Sequence, residues 1–126
     1  MPKFFVSYVY EDKVYRDQIV DWWKRSLIGR WEPIYETEDV RPGGWQAVKR
    51  HLSPLIAQCQ ALVVLVGDDT HNRSAIEYEV QNARSSGISL VSVRLPQTHG
   101  AAPPSVPDPS VRFGPTEVLK ALNAIT

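Results

Sequence analysis

Cysteine is nearly absent from this chain. The one thiol, Cys59, excludes an internal disulfide and any cysteine-based metal cluster. Net charge is absent as well. Lys and Arg number 14, Asp and Glu number 14, so the chain lacks the electrostatic footprint of a protein that binds nucleic acid or an anionic membrane. No apolar run approaches the roughly 20 residues needed to span a bilayer. The N-terminus leads straight into a strand pattern rather than a signal peptide. Glycines are few and have neither GxGxxG nor GxxxxGK spacing, which argues against a dinucleotide or P-loop phosphate cradle. There are no internal repeats. What remains is an ordinary globular composition, 43% apolar and 22% charged, in 126 residues, enough for one domain with a normal core. The expectation is one soluble cytoplasmic domain over residues 1–126, with no metal, no nucleic acid and no membrane.

The most informative stretch is Leu62–Val80, LVVLVGDDTHNRSAIEYEV. Leu62 to Val66 is unbroken and β-branched. A strand covered on one face would alternate, so this one reads as central and covered on both faces, as in a parallel sheet. Gly67 ends it, and 68–73 form a polar turn. Ser74 and Glu77 then have capping-box spacing, with Ser74 as N-cap and Glu77 reaching back. Ile76, Val80 and Ala83 carry an apolar stripe onward. Glu79 is the unexplained residue. A lone helix glutamate is ordinarily solvated. This one lies at the edge of the buried stripe, at the carboxyl end of a central strand, where ligands bind in open α/β sheets.

The remaining elements follow in order. Lys3 to Tyr10 reads as the first strand. Residues 14–27 read as a helix with Tyr15, Ile19, Trp22, Trp23 and Leu27 on one face and Gly29 as its C-cap. The tryptophan pair fits that stripe and reads as core rather than as a cofactor platform. Trp31 to Thr37 reads as a short strand that Pro33 confines to an edge. Residues 38–44, EDVRPGG, read as a lid or a plain surface turn. Trp45, Val48, Leu52, Leu55, Ile56 and Cys59 make the next helical stripe. Pro54 within it implies either a kink or a second helix capped by Ser53. Cys59 on the apolar side reads as a buried structural thiol. Ile88 to Leu95 is a further strand, and 97–110, with four prolines, is a long loop in which His99 is solvated. Val111 to Phe113 is a candidate short strand, and a last helix runs from Pro115 to about Ile125. The β-α-β-α-β-α-β-loop-α order predicts an α/β fold, a parallel sheet of four to five strands with helices on both faces in flavodoxin-like topology.

These residues also carry a resemblance. Phe4-Phe5-Val6-Ser7-Tyr8 resembles the opening strand of TIR (Toll/interleukin-1 receptor) domains. Val64 to Thr70, then Ser74, Glu79 at the fifth position after it, and Ala83, are similar to the bacterial TIR-like family of the Thoeris anti-phage defence system. Ser89 to Leu95 resembles the matching strand there. The resemblance spans nearly the whole chain, and its specificity lies in the ordered combination rather than in any one motif. It implies a flavodoxin-like TIR fold and an NAD+ glycohydrolase or ADP-ribosyl cyclase. NAD+ would be a substrate, without a further cofactor, and Glu79, not Glu77, would be the catalytic residue. Cleavage of the ribose–nicotinamide bond releases a neutral leaving group through an oxocarbenium-like transition state. A carboxylate beside the ribose stabilises that charge. The acceptor, water, the adenine end or an amino acid, decides between hydrolysis, a cyclic ADP-ribose isomer and conjugation.

Other roles follow from the same resemblance. Phe5, Ser7 and Tyr8 line the crevice, an aromatic stacking on a base and Ser7 bonding a ribose or phosphate. Asp39, Arg41 and Gly43 lie on a loop that TIR enzymes use near substrate and in self-association, and Thr70 and Ser74 flank the site. The implied partners are further copies of the chain, a phage-derived trigger, and a separate effector protein activated by the nucleotide product. There is one departure. TIR enzymes usually carry an aromatic four residues before the catalytic glutamate. Ala75 stands there, so a stacking wall would have to come from Tyr8, Tyr78 or Trp45. The competing readings are a catalytically silent TIR module acting by self-association and a receiver-like domain. The receiver reading has Glu11-Asp12 in its favour, but Gly67 stands where a phospho-acceptor Asp would end the third strand.

Overall fold

The computed structural model describes the backbone of residues 2–36 and 44–125, and all their side chains except those of 44–49. The expected loop residues Asp39, Arg41 and Gly43 lie outside the described residues, as does the side chain of Trp45.

Five parallel strands form one sheet. β1 (Lys3–Ser7), β2 (Glu32–Ile34), β3 (Ala61–Val66), β4 (Ser89–Arg94) and β5 (Val111–Arg112) lie side by side in the order β2-β1-β3-β4-β5. This is the flavodoxin-like arrangement, whose ligand crevice opens at the carboxyl ends where the order reverses, between β1 and β3. β3 is central and buried along its whole length, as its unbroken apolar run predicts. Period-two alternation divides the sheet between two cores. Phe4, Val6, Val63 and Leu65 face α1 (Lys13–Lys24) and α4 (Pro115–Ala124), where Ile19, Trp22, Val118 and Leu122 meet them. Phe5, Leu62, Val64 and Val66 face α2 (Gly44–Ala57) and α3 (Ser74–Ser85), against Leu52, Ile56, Ile76 and Val80. Each such buried side chain contributes about 1.5–3 kcal/mol of transfer free energy. Trp22 lies in the core, as its place in the helical stripe predicts.

Several boundaries differ from the sequence expectation. α1 ends at Lys24 rather than near residue 27. Ser26 takes the left-handed position that ends the helix (φ 60°), three residues before Gly29, which is left-handed as well (φ 62°), and the amides of Ser26 and Leu27 close a Schellman motif on the carbonyls of Trp23 and Trp22. Leu27 is thereby turned outward, and Ile28 fills the core in its place. β2 is shorter than predicted but is an edge strand, as Pro33 requires. Pro54 neither splits α2 nor starts a second helix. The helix runs through it, with Leu52 and Ile56 buried on either side. The capping box does not form either. α3 begins at Ser74 itself, with Arg73 as N-cap and no side-chain cap bond. Arg73 is instead tied to Asp69 and Glu11, each at 3.0 Å. These bonds start the helix one residue earlier than the motif predicts. α3 ends in a second Schellman motif, with Gly87 (φ 72°) in the left-handed position.

The proline-rich loop is anchored where it leaves β4. Thr98 Oγ1–H lies within hydrogen-bonding distance of the Val66 carbonyl (3.2 Å) and the Leu95 carbonyl (2.8 Å), and the His99 amide donates to Asp68 Oδ1 at 2.8 Å. The loop therefore packs on the end of β3. Among the described residues no helix is long and apolar enough to cross a membrane.

Gly100 is the tightest point of this contact, because a Cβ there would fall on the backbone carbonyls of Gly67 and Asp68. Backbone cannot move aside as a flexible side chain can. Gly100→Ala is therefore expected to cost about 2–3 kcal/mol, read as a lowered midpoint in urea unfolding. An unchanged midpoint would show that the loop does not bear on β3.

Candidate active site

The second core has one polar break, and it lies at the carboxyl end of the sheet. Ser7 is the last residue of β1 and is fully buried. Its register partner is Val64 of β3, so its side chain points toward α2 and α3. Glu79 comes down from α3, one residue before the buried Val80, and is only 6% exposed. Ser7 Oγ–H donates to Glu79 Oε1 at 2.9 Å. Burial pushes the Glu79 carboxyl up to about 8, the Ser7 hydrogen bond pulls the other way, and the charge of Glu36 adds to the rise. Glu77, by contrast, is exposed. The two glutamates are thus as different in environment as in helical phase.

Glu36 is the neighbour that sequence reading missed. Phe5 pairs with Ile34, the last residue of β2, and Glu36 follows two residues beyond the strand, where its charge acts on Glu79. Tyr35, between them, packs into the opposite core. His51 of α2 completes the group, its Nε2 2.6 Å from Glu36 Oε2 with both side chains partly exposed. The backbone of Glu36 is held from the other side, since its carbonyl accepts from Tyr8 Oη–H (3.2 Å) and from Arg16 Nη1–H (3.4 Å). Period-two spacing from Ile34 is the one sequence signal that could have marked Glu36. Nothing in the sequence marked His51.

The remaining candidate residues take different places. Tyr8 packs with the α1 side of the sheet. Its hydroxyl accepts from Arg16 Nη1–H at 2.9 Å, and the Arg16 guanidinium lies 5.3 Å from its ring and 4.7 Å from that of Tyr35. Phe5 is fully buried in the core on Glu79's side of the sheet. Thr70 is fully buried, accepting from the Gly67 amide (2.9 Å) and donating to the Leu65 carbonyl (3.2 Å), so it holds the turn that leads into α3. Ser74 and Ala75 are exposed at the start of that helix, and Tyr78 is half-buried. Burial raises the Cys59 thiol to about 12, and it donates weakly to the Leu55 carbonyl, as befits a structural thiol. Glu11 and Asp12 lie over the end of β3, where a Cβ on Gly67 would meet Asp12 Oδ2 at 2.6 Å. Among the described residues no group of His, Cys, Asp or Glu is placed to hold a metal ion. An open depression of about 710 Å3 lies elsewhere, between Arg84, Gly87–Leu90 and Ser105–Pro107, away from these groups. It has no buried titratable group and offers no chemistry, whereas Glu79 does.

A buried carboxyl poised between acid and carboxylate, with a hydroxyl bonded to it, can stabilise a developing cation or hold the hydroxyls of a sugar. A family model for the TIR-like domain of Thoeris protein ThsB matches residues 5–100, a span that includes Ser7, Glu36, His51 and Glu79. No curated protein matches the chain.

The sign of the Glu79 shift makes a stability prediction. Its folded value lies above the ordinary 4.5, so the folded state holds the proton more tightly than the unfolded chain. The stability it contributes is complete below about 4.5 and is lost as pH rises through about 8. Glu79→Gln keeps an acceptor for Ser7 and removes that loss. Melting curves should show the variant near wild type at about pH 5 and more stable by roughly 1–3 kcal/mol at about pH 9. A constant offset at both pH values would contradict a buried, protonated Glu79.

Proposed function

Because the chain belongs to the TIR-like domain family of Thoeris protein ThsB, we propose that it is an NAD+-cleaving enzyme of anti-phage defence with Glu79 as its catalytic carboxylate. The observation that carries this reading is the state of Glu79. It is withdrawn from water, its hydrogen-bond partner among the described residues is a serine hydroxyl, and the only described charge that moves it is the anion Glu36. Ionising a buried carboxylate without a cation is expensive. NAD+ supplies the missing positive charge, first on the nicotinamide ring and then on the ribose as the glycosidic bond breaks.

The chemistry asks little else of the protein at this step. Nicotinamide departs as a neutral group, so no strong acid is needed. Glu79 accepts hydrogen bonds from ribose hydroxyls and faces the oxocarbenium-like carbon, and Ser7 fixes the rotamer from which it does so. The product is an ADP-ribose derivative, cyclic in the preferred reading, that activates a separate effector chain. Assembly of copies through TIR surfaces, a phage-derived trigger and a cytoplasmic setting belong to the same proposal. A second reading, a silent TIR module acting by self-association, is favoured by one observation. Ala75 is small and exposed where TIR enzymes carry an aromatic wall, and Tyr8 is engaged with Arg16 on the other side of the sheet.

A mass-spectrometric time course decides between the two. Concentrated protein, with and without phage lysate, is incubated with NAD+ beside Glu77→Ala and Glu79→Ala. Turnover is expected to survive Glu77→Ala and to fall at least about a hundredfold in Glu79→Ala. The product mass separates hydrolysis from cyclisation or conjugation. Wild-type kcat/KM should rise with pH and level off above about 8 as Glu79 ionises in the free protein. No turnover under any of these conditions would sink the enzyme reading in favour of the interaction module.

A further inference from the structure

We propose that His51, anchored by Glu36, is the base of the second half of the reaction, taking the proton that an O–H or N–H nucleophile sheds when it attacks the ribosyl carbon. This rests on the NAD+-cleaving reading above and deepens it.

Four elements converge to make the case. β1 brings Ser7, α3 brings Glu79, the end of β2 brings Glu36 and α2 brings His51. Glu36, two residues beyond the end of β2, lies close enough to the Ser7–Glu79 pair for its charge to act on Glu79. α2 and α3 pack together, and Asn82 Nδ2–H donates to Ser53 Oγ at 3.3 Å between them. Glu36 links the imidazole to the catalytic carboxyl, lying 2.6 Å from His51 Nε2 and acting by its charge on Glu79. Neither Glu36 nor His51 is sealed in, as their side chains are 21% and 30% exposed.

The two half-reactions make different demands. In the first, the carbon–nitrogen bond to nicotinamide breaks, its electron pair leaves with the neutral pyridine, and Glu79 faces the cation. No proton moves. In the second, a lone pair of the acceptor forms the new bond to the ribosyl carbon. The acceptor's own O–H or N–H proton must leave, its bonding electrons staying behind on the acceptor atom. Glu79 is ill placed to take that proton, because protonation would remove the negative charge while the cation still needs it. His51 is suited to it. Its Nε2 stands 2.6 Å from Glu36 Oε2, which leaves Nδ1 as the ring nitrogen to take the proton. Once protonated, the imidazolium is stabilised by Glu36, the logic of any carboxylate-oriented histidine base. Tyr8 and Arg16, which grip the Glu36 backbone from the far side of the sheet, hold that carboxylate in register.

Isotope exchange separates the two halves. Wild type, His51→Gln, Glu36→Gln and Glu79→Gln are each incubated with NAD+ and labelled free nicotinamide, following both label entering NAD+ and net product by mass spectrometry. Exchange needs bond breaking and its reversal, without any acceptor proton. His51→Gln is expected to lose at least about tenfold in net product while exchange stays within about threefold of wild type. Glu36→Gln should fall in the same direction by less, and it carries the same test should His51→Gln prove too unstable to purify. Glu79→Gln should lose both signals. Equal loss of exchange and product in both His51→Gln and Glu36→Gln, or no loss in either, would overturn the role of His51 and leave the NAD+-cleaving reading standing. Wild type giving neither product nor exchange would overturn that reading and this inference with it.

Discussion

A carboxyl group kept out of water with a serine hydroxyl bonded to it is the feature on which the rest of the site depends. Glu79 is expensive to ionise where it stands, and the fold bears that cost at the carboxyl end of its central strands. The sheet makes this feasible. Fully apolar β3 and the two cores on either side of it supply far more burial energy than one strained carboxyl removes. The position that weakens the fold is thus also the one chemically fitted to meet a cation, the usual relation between stability and function at a preorganised site.

The surrounding architecture keeps that group in place from several directions. β1 ends at Ser7, so its hydroxyl lies at the rim of the sheet rather than deep within it. Thr70 closes the turn between β3 and α3 by serving both a donor and an acceptor of the strand end, which fixes where α3 begins and therefore which residue reaches Ser7. Arg16 does similar work on the opposite face. Its guanidinium lies over Tyr8 and Tyr35 and is bonded to Asp17, and through Tyr8 it holds the end of β2, from which Glu36 extends. A cation that sequence inspection would place on a solvated helix face is thus nearly buried and organises the strand end.

Much of the fold was legible in the residues because burial leaves periodic marks. An unbroken β-branched run identified the central strand, Pro33 marked an edge, and helical stripes at Ile19–Trp22, Leu52–Ile56 and Ile76–Val80 identified the packing faces. Local motifs did less well. The capping box at Ser74 was overridden by the bonds of Arg73 to Asp69 and Glu11, and Gly29 lost the α1 terminus to Ser26 because burying Ile28 required the chain to turn earlier. Such motifs are worth about 1 kcal/mol each, less than the packing that competes with them.

The sequence by itself determined the parallel α/β architecture, the central strand, the family resemblance and the distinction between Glu77 and Glu79, since each is written in residues close together along the chain. Only the tertiary structure decided which groups surround Glu79. Ser7 lies 72 residues away from it in the chain, and Glu36 joins the site from the segment that follows β2, which pairs with β1. His51 points at Glu36 only because α2 packs on that face of the sheet. The identity of a titratable residue is local, but its environment is set by contacts between distant segments, and that environment governs what the residue can do chemically.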